Sequence, residues 1–191
     1  MRGTGSPFFE IKPEDFGLTN LEGAVQCGEY LILHDRAKVF FEQYLKDEIN
    51  VGVIADPSEN DDYDFTIDCT FGAMGAEGID VYEPCVMHKY RGPGGMAVTI
   101  MDGPFGSIYP APEPGTVTLT SVMHTPLGKP KTYADAQKLV EDFLSDKDWR
   151  YGNRNDMQKM IAAYVPFFDK EYEWYDYTVS IRGVPASRAD S

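Results

Sequence analysis

Ser121, His124 and Asp102 have the side chains that a hydrolytic triad needs. In such a triad the serine attacks the substrate, the histidine accepts its proton, and the aspartate orients the histidine. Ser121 lacks the G-x-S-x-G turn that exposes the nucleophile of α/β hydrolases. Ser121 and His124 are also three positions apart on a predicted strand, so their side chains point to opposite faces. The sequence therefore disfavours a serine hydrolase.

Four other polar residues have the chemistry to bind a small substrate. Arg91 and Arg182 could each pair with a carboxylate or phosphate through two hydrogen bonds, or balance a neighbouring carboxylate of the protein. Tyr109 lies at the mouth of a proline-rich loop, where it could cover a pocket or simply pack the loop. His124 follows an apolar strand and could contact a ligand or serve as a structural histidine. Both interpretations stay open for each residue.

The cysteines Cys27, Cys69 and Cys85 are odd in number and widely spaced. This pattern argues against a disulfide framework and indicates a reducing compartment, so we expect a cytoplasmic protein. Cys69 lies in a predicted strand, where cysteine acts more often as a small hydrophobe than as a nucleophile. The chain has no C-x-x-C, H-x-x-x-H or H-E-x-x-H spacing, and we expect no metal site.

The charge balance limits the partners. The 191 residues carry 17 Lys and Arg against 31 Asp and Glu, a formal net charge of −14 at pH 7. Nucleic acids and anionic membranes attract clustered cations, and the chain has no run of four basic residues, so we expect neither partner. No apolar stretch approaches the ~20 residues that span a bilayer, and we expect no signal peptide. With 42% hydrophobic and 25% charged residues, the composition is that of a soluble globular protein.

Hydrophobic periodicity and turn residues predict the elements that position these side chains. The predicted strands are 28–33, 50–54, 64–70, 84–90, 95–101, 116–124 and 173–181. Helices are predicted after Asp35 and after Thr132, each a candidate N-cap, and a further helix over 155–164. We expect a turn at 102–106 and an extended loop at 109–115. The order predicts an α/β (α+β mixed) fold, with a mixed, largely antiparallel sheet and flanking helices.

Four segments carry a resemblance to a known family. Residues 64–72 read DFTIDCTFG, residues 101–110 read MDGPFGSIYP, and residues 118–128 read TLTSVMHTPLG. With Gly28-Glu29-Tyr30 before the first helix, they resemble, in the same order, segments of FAD-dependent oxidoreductases of the D-amino-acid-oxidase-like superfamily. The resemblance runs from about residue 22 to residue 191 and covers the middle and C-terminal side of those enzymes. It is greatest to a bacterial group linked to cell-surface polysaccharide gene clusters, which implies a role in polysaccharide biosynthesis.

The resemblance implies an enzyme that binds FAD and transfers a hydride to it from an amine, amino acid or sugar-type small molecule. It places Cys69, Thr70 and Gly72 beside the flavin, at the end of a strand. The four polar residues considered above, Arg91, Tyr109, His124 and Arg182, are the candidates for binding the substrate of such an enzyme. It assigns no catalytic residue, no electron acceptor and no oligomeric state.

Three positions depart from the family pattern. Phe71 stands where the family has the glycine of its T-G pair, Gly106 where it has proline, and Met123 where it has lysine. The last two changes remove a rigid turn and a positive charge, so the substrate can differ from that of the family.

The chain also lacks the G-x-G-x-x-G turn that seats the FAD pyrophosphate on a helix N-terminus in this family. We therefore expect residues 1–191 to be a single fragment of such an enzyme. Residues 22–75 would belong to its cofactor side, and residues 82–182, with two helices, to its substrate side. We expect the isolated chain to bind FAD weakly or not at all.

The alternative is a non-catalytic, acidic α/β module that binds a protein or a glycan through exposed aromatic side chains. The two hypotheses differ in one accessible observation, the reading frame upstream of Met1. A glycine-rich βαβ fingerprint there would favour the enzyme, and its absence would favour the binding module.

Overall fold

The structure is a computed structural model that describes residues 9–28, 32–48, 78–94, 97–101, 103 and 105–185. The strands predicted at 50–54 and 64–70 lie outside these residues. Residues 29–31 of the strand predicted at 28–33 also lie outside them, and its described residues 28, 32 and 33 are not part of a strand. The described strands are β1 (Phe9–Ile11), β2 (Ala24–Gln26), β3 (Ile79–Arg91), β4 (Val98–Thr99), β5 (Gly106–Pro110), β6 (Thr116–Ser121) and β7 (Glu173–Pro185). The described helices are a 3-10 turn (Pro13–Phe16), α1 (His34–Glu48), α2 (Tyr133–Ser145), α3 (Lys147–Ala162) and α4 (Phe168–Glu171).

The main sheet has five strands in the order β4-β5-β6-β3-β7, and its paired strands are antiparallel. The longest pair joins β3 to β7, with a register that runs from Ile79 opposite Pro185 to Arg91 opposite Glu173. A separate two-stranded sheet pairs β1 with β2. The predicted mixed α/β class, with a largely antiparallel sheet and flanking helices, is confirmed.

Alternation along the strands gives the main sheet two different faces. On β3, the buried side chains of Val86, His88 and Tyr90 alternate with the more exposed Met87 and Lys89. The buried set packs with apolar residues of α2 and α3, so we call this side the helix face. The opposite side, which carries Met87 and Lys89, is called the open face. Period-two patterning thus divides the sheet into a packed side and a polar side.

Two capping residues fix the helices on the helix face. Thr132 Oγ1 accepts a hydrogen bond of 3.1 Å from the Asp135 backbone N–H, as predicted for the start of α2. Asp146 Oδ1 accepts hydrogen bonds from the backbone N–H groups of Asp148 and Trp149 and begins α3 at Lys147. The sequence predicted this helix only from residue 155, because the polar residues of its first two turns hide the apolar periodicity.

Several other boundaries also differ from the prediction. Residues 106–110 form β5, although glycine and proline predicted a turn and a loop there. Gly106 brings β5 close to α3, since a Cβ at this position would lie 2.8 Å from Met160 Cε. The strand predicted at 95–101 is limited to β4 in the described residues. Helix α1 begins at His34, so Asp35 lies in its first turn instead of capping it.

None of the helices in the described ranges has both the length and the apolar character needed to cross a membrane.

Candidate functional site

Three of the predicted substrate-binding residues lie on the open face of the main sheet. Tyr109 on β5 is paired with Thr118 on β6, which is paired in turn with Lys89 on β3. Arg91 follows Lys89 by two positions on β3, and so it has the same orientation. Arg182 on β7 is paired with Glu83 on β3. Glu83 is an even number of positions from Lys89 along β3, so Arg182 also lies on the open face. The predicted residues of the strands therefore share one face.

Arg91 has partners at the edge of this face. Its Nη2 lies 4.0 Å from Oε1 of Glu113, and both side chains are more than half exposed. Its guanidinium carbon lies 4.3 Å from the centre of the Tyr175 ring. An exposed ion pair of this length contributes little to stability, so the guanidinium N–H groups of Arg91 can exchange Glu113 for a ligand carboxylate.

Arg182 is held more firmly. Its Nε and Nη2 lie 2.8 and 2.5 Å from Oε2 of Glu83, whose side chain is 8% exposed. Lys129 Nζ lies 3.9 Å from the other carboxylate oxygen of Glu83. The hydrogen bond to Glu83 raises the pKa of Arg182. This arginine balances a buried carboxylate, which is the second of the two roles that the sequence left open.

The structure brings Tyr109 near Arg91 but not near Arg182. Arg91 is paired with Thr116 of β6 and Tyr109 with Thr118 of β6. Arg91 and Tyr109 therefore lie on opposite sides of β6, next to β6 residues that are two positions apart. Arg182 is paired with Glu83, eight positions before Arg91 on β3, a separation of roughly 26 Å along the strand. One small molecule can contact Arg91 or Arg182 but not both.

His124 lies in the turn after β6 and joins a chain of hydrogen bonds through its backbone. Asn153 Nδ2 donates to the carbonyl of His124 at 2.8 Å, and Asn153 Oδ1 lies 2.9 Å from Nε2 of His88. Trp174 Nε1 donates to Nδ1 of His88 at 3.3 Å. These hydrogen bonds therefore link four segments of the chain, β3, β7, α3 and the turn, through the side chains of His88 and Asn153.

These contacts define the protonation state of His88. An indole N–H only donates, so Nδ1 of His88 must accept and the ring proton is on Nε2, facing Asn153. Burial lowers the pKa of His88; the hydrogen bond with Asn153 raises it, and the charge of Arg154 lowers it. The net effect is downward, and His88 is neutral at physiological pH. Sequence reasoning missed His88, Asn153 and Trp174, because their contact depends on the β3–β7 register.

The described residues do not fit the dinucleotide part of FAD. Gly92 and Gly94 lie in the connection between β3 and β4, which leads into a strand and not into a helix. Cys69, Thr70 and Gly72, the predicted flavin contacts, lie outside the described residues. Within the described part of the chain, no group of three or more His, Cys, Asp and Glu side chains could hold a metal ion.

The chain is similar to a known flavoenzyme. It is 32% identical over 201 aligned residues to a FAD-dependent monooxygenase of Fusarium mangiferae, and the alignment covers 100% of this chain. The chain spans about half of that relative, 54% of its length. No family model matches the chain, and no solved structure matches it. The similarity supports a relationship to FAD-dependent oxidoreductases and leaves the substrate unassigned.

Proposed function

We propose that this chain forms most of the substrate side and part of the cofactor side of a FAD-dependent oxidoreductase of the D-amino-acid-oxidase-like superfamily. The observation that carries the proposal is the 32% identity to a FAD-dependent monooxygenase along the whole chain. In this proposal residues 22–75 belong to the cofactor side and residues 82–182 to the substrate side, and the substrate is an amine, an amino acid or a sugar-type small molecule. The bound flavin would supply the redox chemistry.

The open face of the sheet supports a role in positioning substrate. Tyr109, Thr118 and Thr120 place hydroxyl groups on this face, and Thr178 adds another on β7. Hydroxyl groups both donate and accept, so the row can bind a polar substrate in one orientation. Strands hold such groups more rigidly than loops, which favours the precise placement that transfer to a cofactor requires.

Within this face, we propose Arg91 and Tyr109 as the residues that contact substrate. Their partners Thr116 and Thr118 are two positions apart on β6, so both side chains can reach one ligand. Arg91 would bind a carboxylate or phosphate of the substrate in place of Glu113, and Tyr109 would offer its phenol. Substrate roles for Arg182 and His124 stay predictions, and a cytosolic location is proposed from the cysteine pattern alone.

The test uses the protein encoded by the complete reading frame that contains this chain. We expect it to purify with bound flavin, and we expect one class among amino acids, amines and sugar nucleotides to bleach the flavin absorbance without oxygen. Tyr109→Phe and Arg91→Gln should raise KM for that substrate about tenfold or more. Tyr44→Phe, which removes a phenolic hydroxyl group from an exposed position on α1, is the matched control.

The other outcomes separate the alternatives. Incorporation of oxygen from O2 into the product would favour monooxygenation, the activity in the name of the relative. A full-length protein without flavin would contradict the proposal and favour the acidic binding module. If both open-face variants have the KM of the unchanged protein, the flavoenzyme proposal stands, but the substrate does not bind on this face.

A further inference from the structure

A pocket of about 170 Å³ opens between α3 and the helix face of the sheet. Basic and aromatic side chains from three elements form its lining: His88 on β3, Lys147, Arg150, Tyr151 and Arg154 on α3, and Trp174 and Tyr177 on β7. We call it the basic-aromatic pocket. The open face and its substrate contacts lie on the other side of the sheet, so nothing in the proposed function accounts for this pocket.

Its three cations share one side of α3. Lys147, Arg150 and Arg154 follow one another at spacings of three and four, which places them on neighbouring turns of the same helix face. None of them belongs to an ion pair formed among the described residues. In a chain with a net charge of −14, cations gathered in this way favour an anionic ligand.

Arg154 has the least satisfied side chain of the three. Its guanidinium carbon lies 4.9 Å from the ring centres of both Tyr151 and Trp174, and its Nε–H is buried without an acceptor among the described residues. Stacking uses the faces of a guanidinium and leaves its in-plane N–H groups for hydrogen bonds. A buried donor without a partner destabilises the folded state, and a carboxylate has the geometry to accept from a guanidinium edge.

The walls of the pocket are held in place before any ligand binds. Arg150 Nη1 donates to the carbonyl of Leu144 at the end of α2 and fixes the guanidinium against that helix. Trp174 is oriented by its hydrogen bond to His88. Preorganised side chains lose little entropy when a ligand arrives, so even a small ligand can bind measurably.

Size and lining together identify the ligand class. A cavity of about 150 Å³ accommodates one benzene ring, and this pocket is of comparable volume. The rings of Trp174 and Tyr177 suit a flat apolar body, whereas an inorganic anion would leave them without contacts. We propose that the basic-aromatic pocket binds a small aromatic carboxylate, one ring with its carboxylate directed to Arg154 and Lys147.

The test is a titration of the purified 191-residue protein with benzoate. The chain has two tryptophans, so Trp149→Phe leaves Trp174 as the single fluorescent indole. The phenylalanine keeps an aromatic ring in contact with the ring of Phe143. We expect saturable quenching of Trp174 fluorescence by benzoate. Cyclohexanecarboxylate, benzyl alcohol and phosphate should each bind at least about tenfold more weakly. Cyclohexanecarboxylate and phosphate lack the aromatic ring, and benzyl alcohol lacks the negative charge.

Charge variants locate the site. Arg154→Met and Lys147→Gln should each weaken benzoate binding about tenfold, since each removes one charge-assisted contact. Lys159→Gln removes a charge from an exposed position of the same helix and should leave binding unchanged. If Arg154→Met fails to fold, Lys147→Gln alone tests the location of the site, because Lys147 is exposed and contributes little to packing.

Three results would overturn the inference. Benzoate could leave Trp174 fluorescence unchanged, phosphate could bind as tightly as benzoate, or Lys159→Gln could weaken binding as much as Lys147→Gln. The titration needs neither flavin nor turnover. Its failure is therefore distinct from failure of the proposed oxidoreductase function.

Discussion

The indole N–H of Trp174 donates to Nδ1 of His88, whose side chain lies on the helix face of the sheet and is 1% exposed. The same ring faces Oδ1 of Asn153 through Nε2. With both ring nitrogens in use, a second proton on His88 would have to displace the Trp174 N–H. Protonation of His88 is therefore coupled to the loss of the hydrogen bond from Trp174.

We expect His88 to make folding stability depend on pH. Burial lowers its pKa in the folded state, so the unfolded chain binds a proton first, at about pH 6.5. The contribution to stability is full above pH 6.5 and falls as the pH decreases to the lowered value, by at most about 1.4 kcal/mol per pH unit. Urea unfolding between pH 7.5 and pH 5 measures the free energy of unfolding as a function of pH. His88→Gln should reduce the dependence of this free energy on pH, and His124→Gln should retain it. An equal pH dependence in both variants would contradict the prediction.

Arg182 should stabilise the fold through Glu83. Removing the guanidinium with Arg182→Met leaves the buried Glu83 carboxylate with one ion-pair partner among the described residues, the exposed Lys129, whose Nζ lies 3.9 Å away. We expect a loss of about 1–3 kcal/mol in the free energy of unfolding. The double variant Glu83→Gln/Arg182→Met should recover part of this loss, because a neutral amide costs less to bury. Additive losses in the double variant would show that the two side chains do not interact.

Two glycine substitutions should act in opposite directions. A Cβ at Gly92 would lie 2.6 Å from the carbonyl oxygen of Glu171 and 2.5 Å from the Tyr172 ring. Gly92→Ala should therefore destabilise the protein by about 1–3 kcal/mol. Gly152 lies within α3 with nothing within 4 Å of an added Cβ, so Gly152→Ala should stabilise by about 0.5–1 kcal/mol. Thermal unfolding of the two variants gives the comparison, and a stabilised Gly92→Ala would disprove the close approach.

The 191-residue chain should not retain FAD. It has no G-x-G-x-x-G turn, and the described residues offer no helix start of that kind to a pyrophosphate. Absorbance of the purified chain after incubation with FAD and gel filtration measures retention. A stoichiometric flavin peak that coelutes with the protein would contradict the expectation and would place a pyrophosphate site within this sequence.

The sequence predicted most of the fold where periodicity is strong. Strand β3, strand β6, strand β7 and helix α2 all lie where alternating or helical apolar patterns placed them. Strand β5 was missed because Gly106 and Pro110 weaken its pattern, although the glycine is required by contact with Met160. The first half of α3 was missed because its start depends on a cap and not on an apolar stripe.

The sites were harder to predict than the fold. The open-face position of Arg91 and Tyr109 follows from alternation once the strands are known. The contact between His88 and Trp174 joins residues 86 positions apart and depends on a bulge in the β3–β7 register. One signal was available for the basic-aromatic pocket, the cations at 147, 150 and 154 with helical spacing in an acidic chain.

The β3–β7 pair also sets an order for folding during synthesis. Residues 92–172 separate the two strands, so the longest ladder of the sheet closes only after almost all of the described chain exists. At about 5–20 residues per second, a ribosome needs on the order of 5 to 20 s to extend from the end of β3 to the end of β7. During that time one edge of β3 has no strand to pair with, and the apolar residues beside it are open to chaperones and to aggregation.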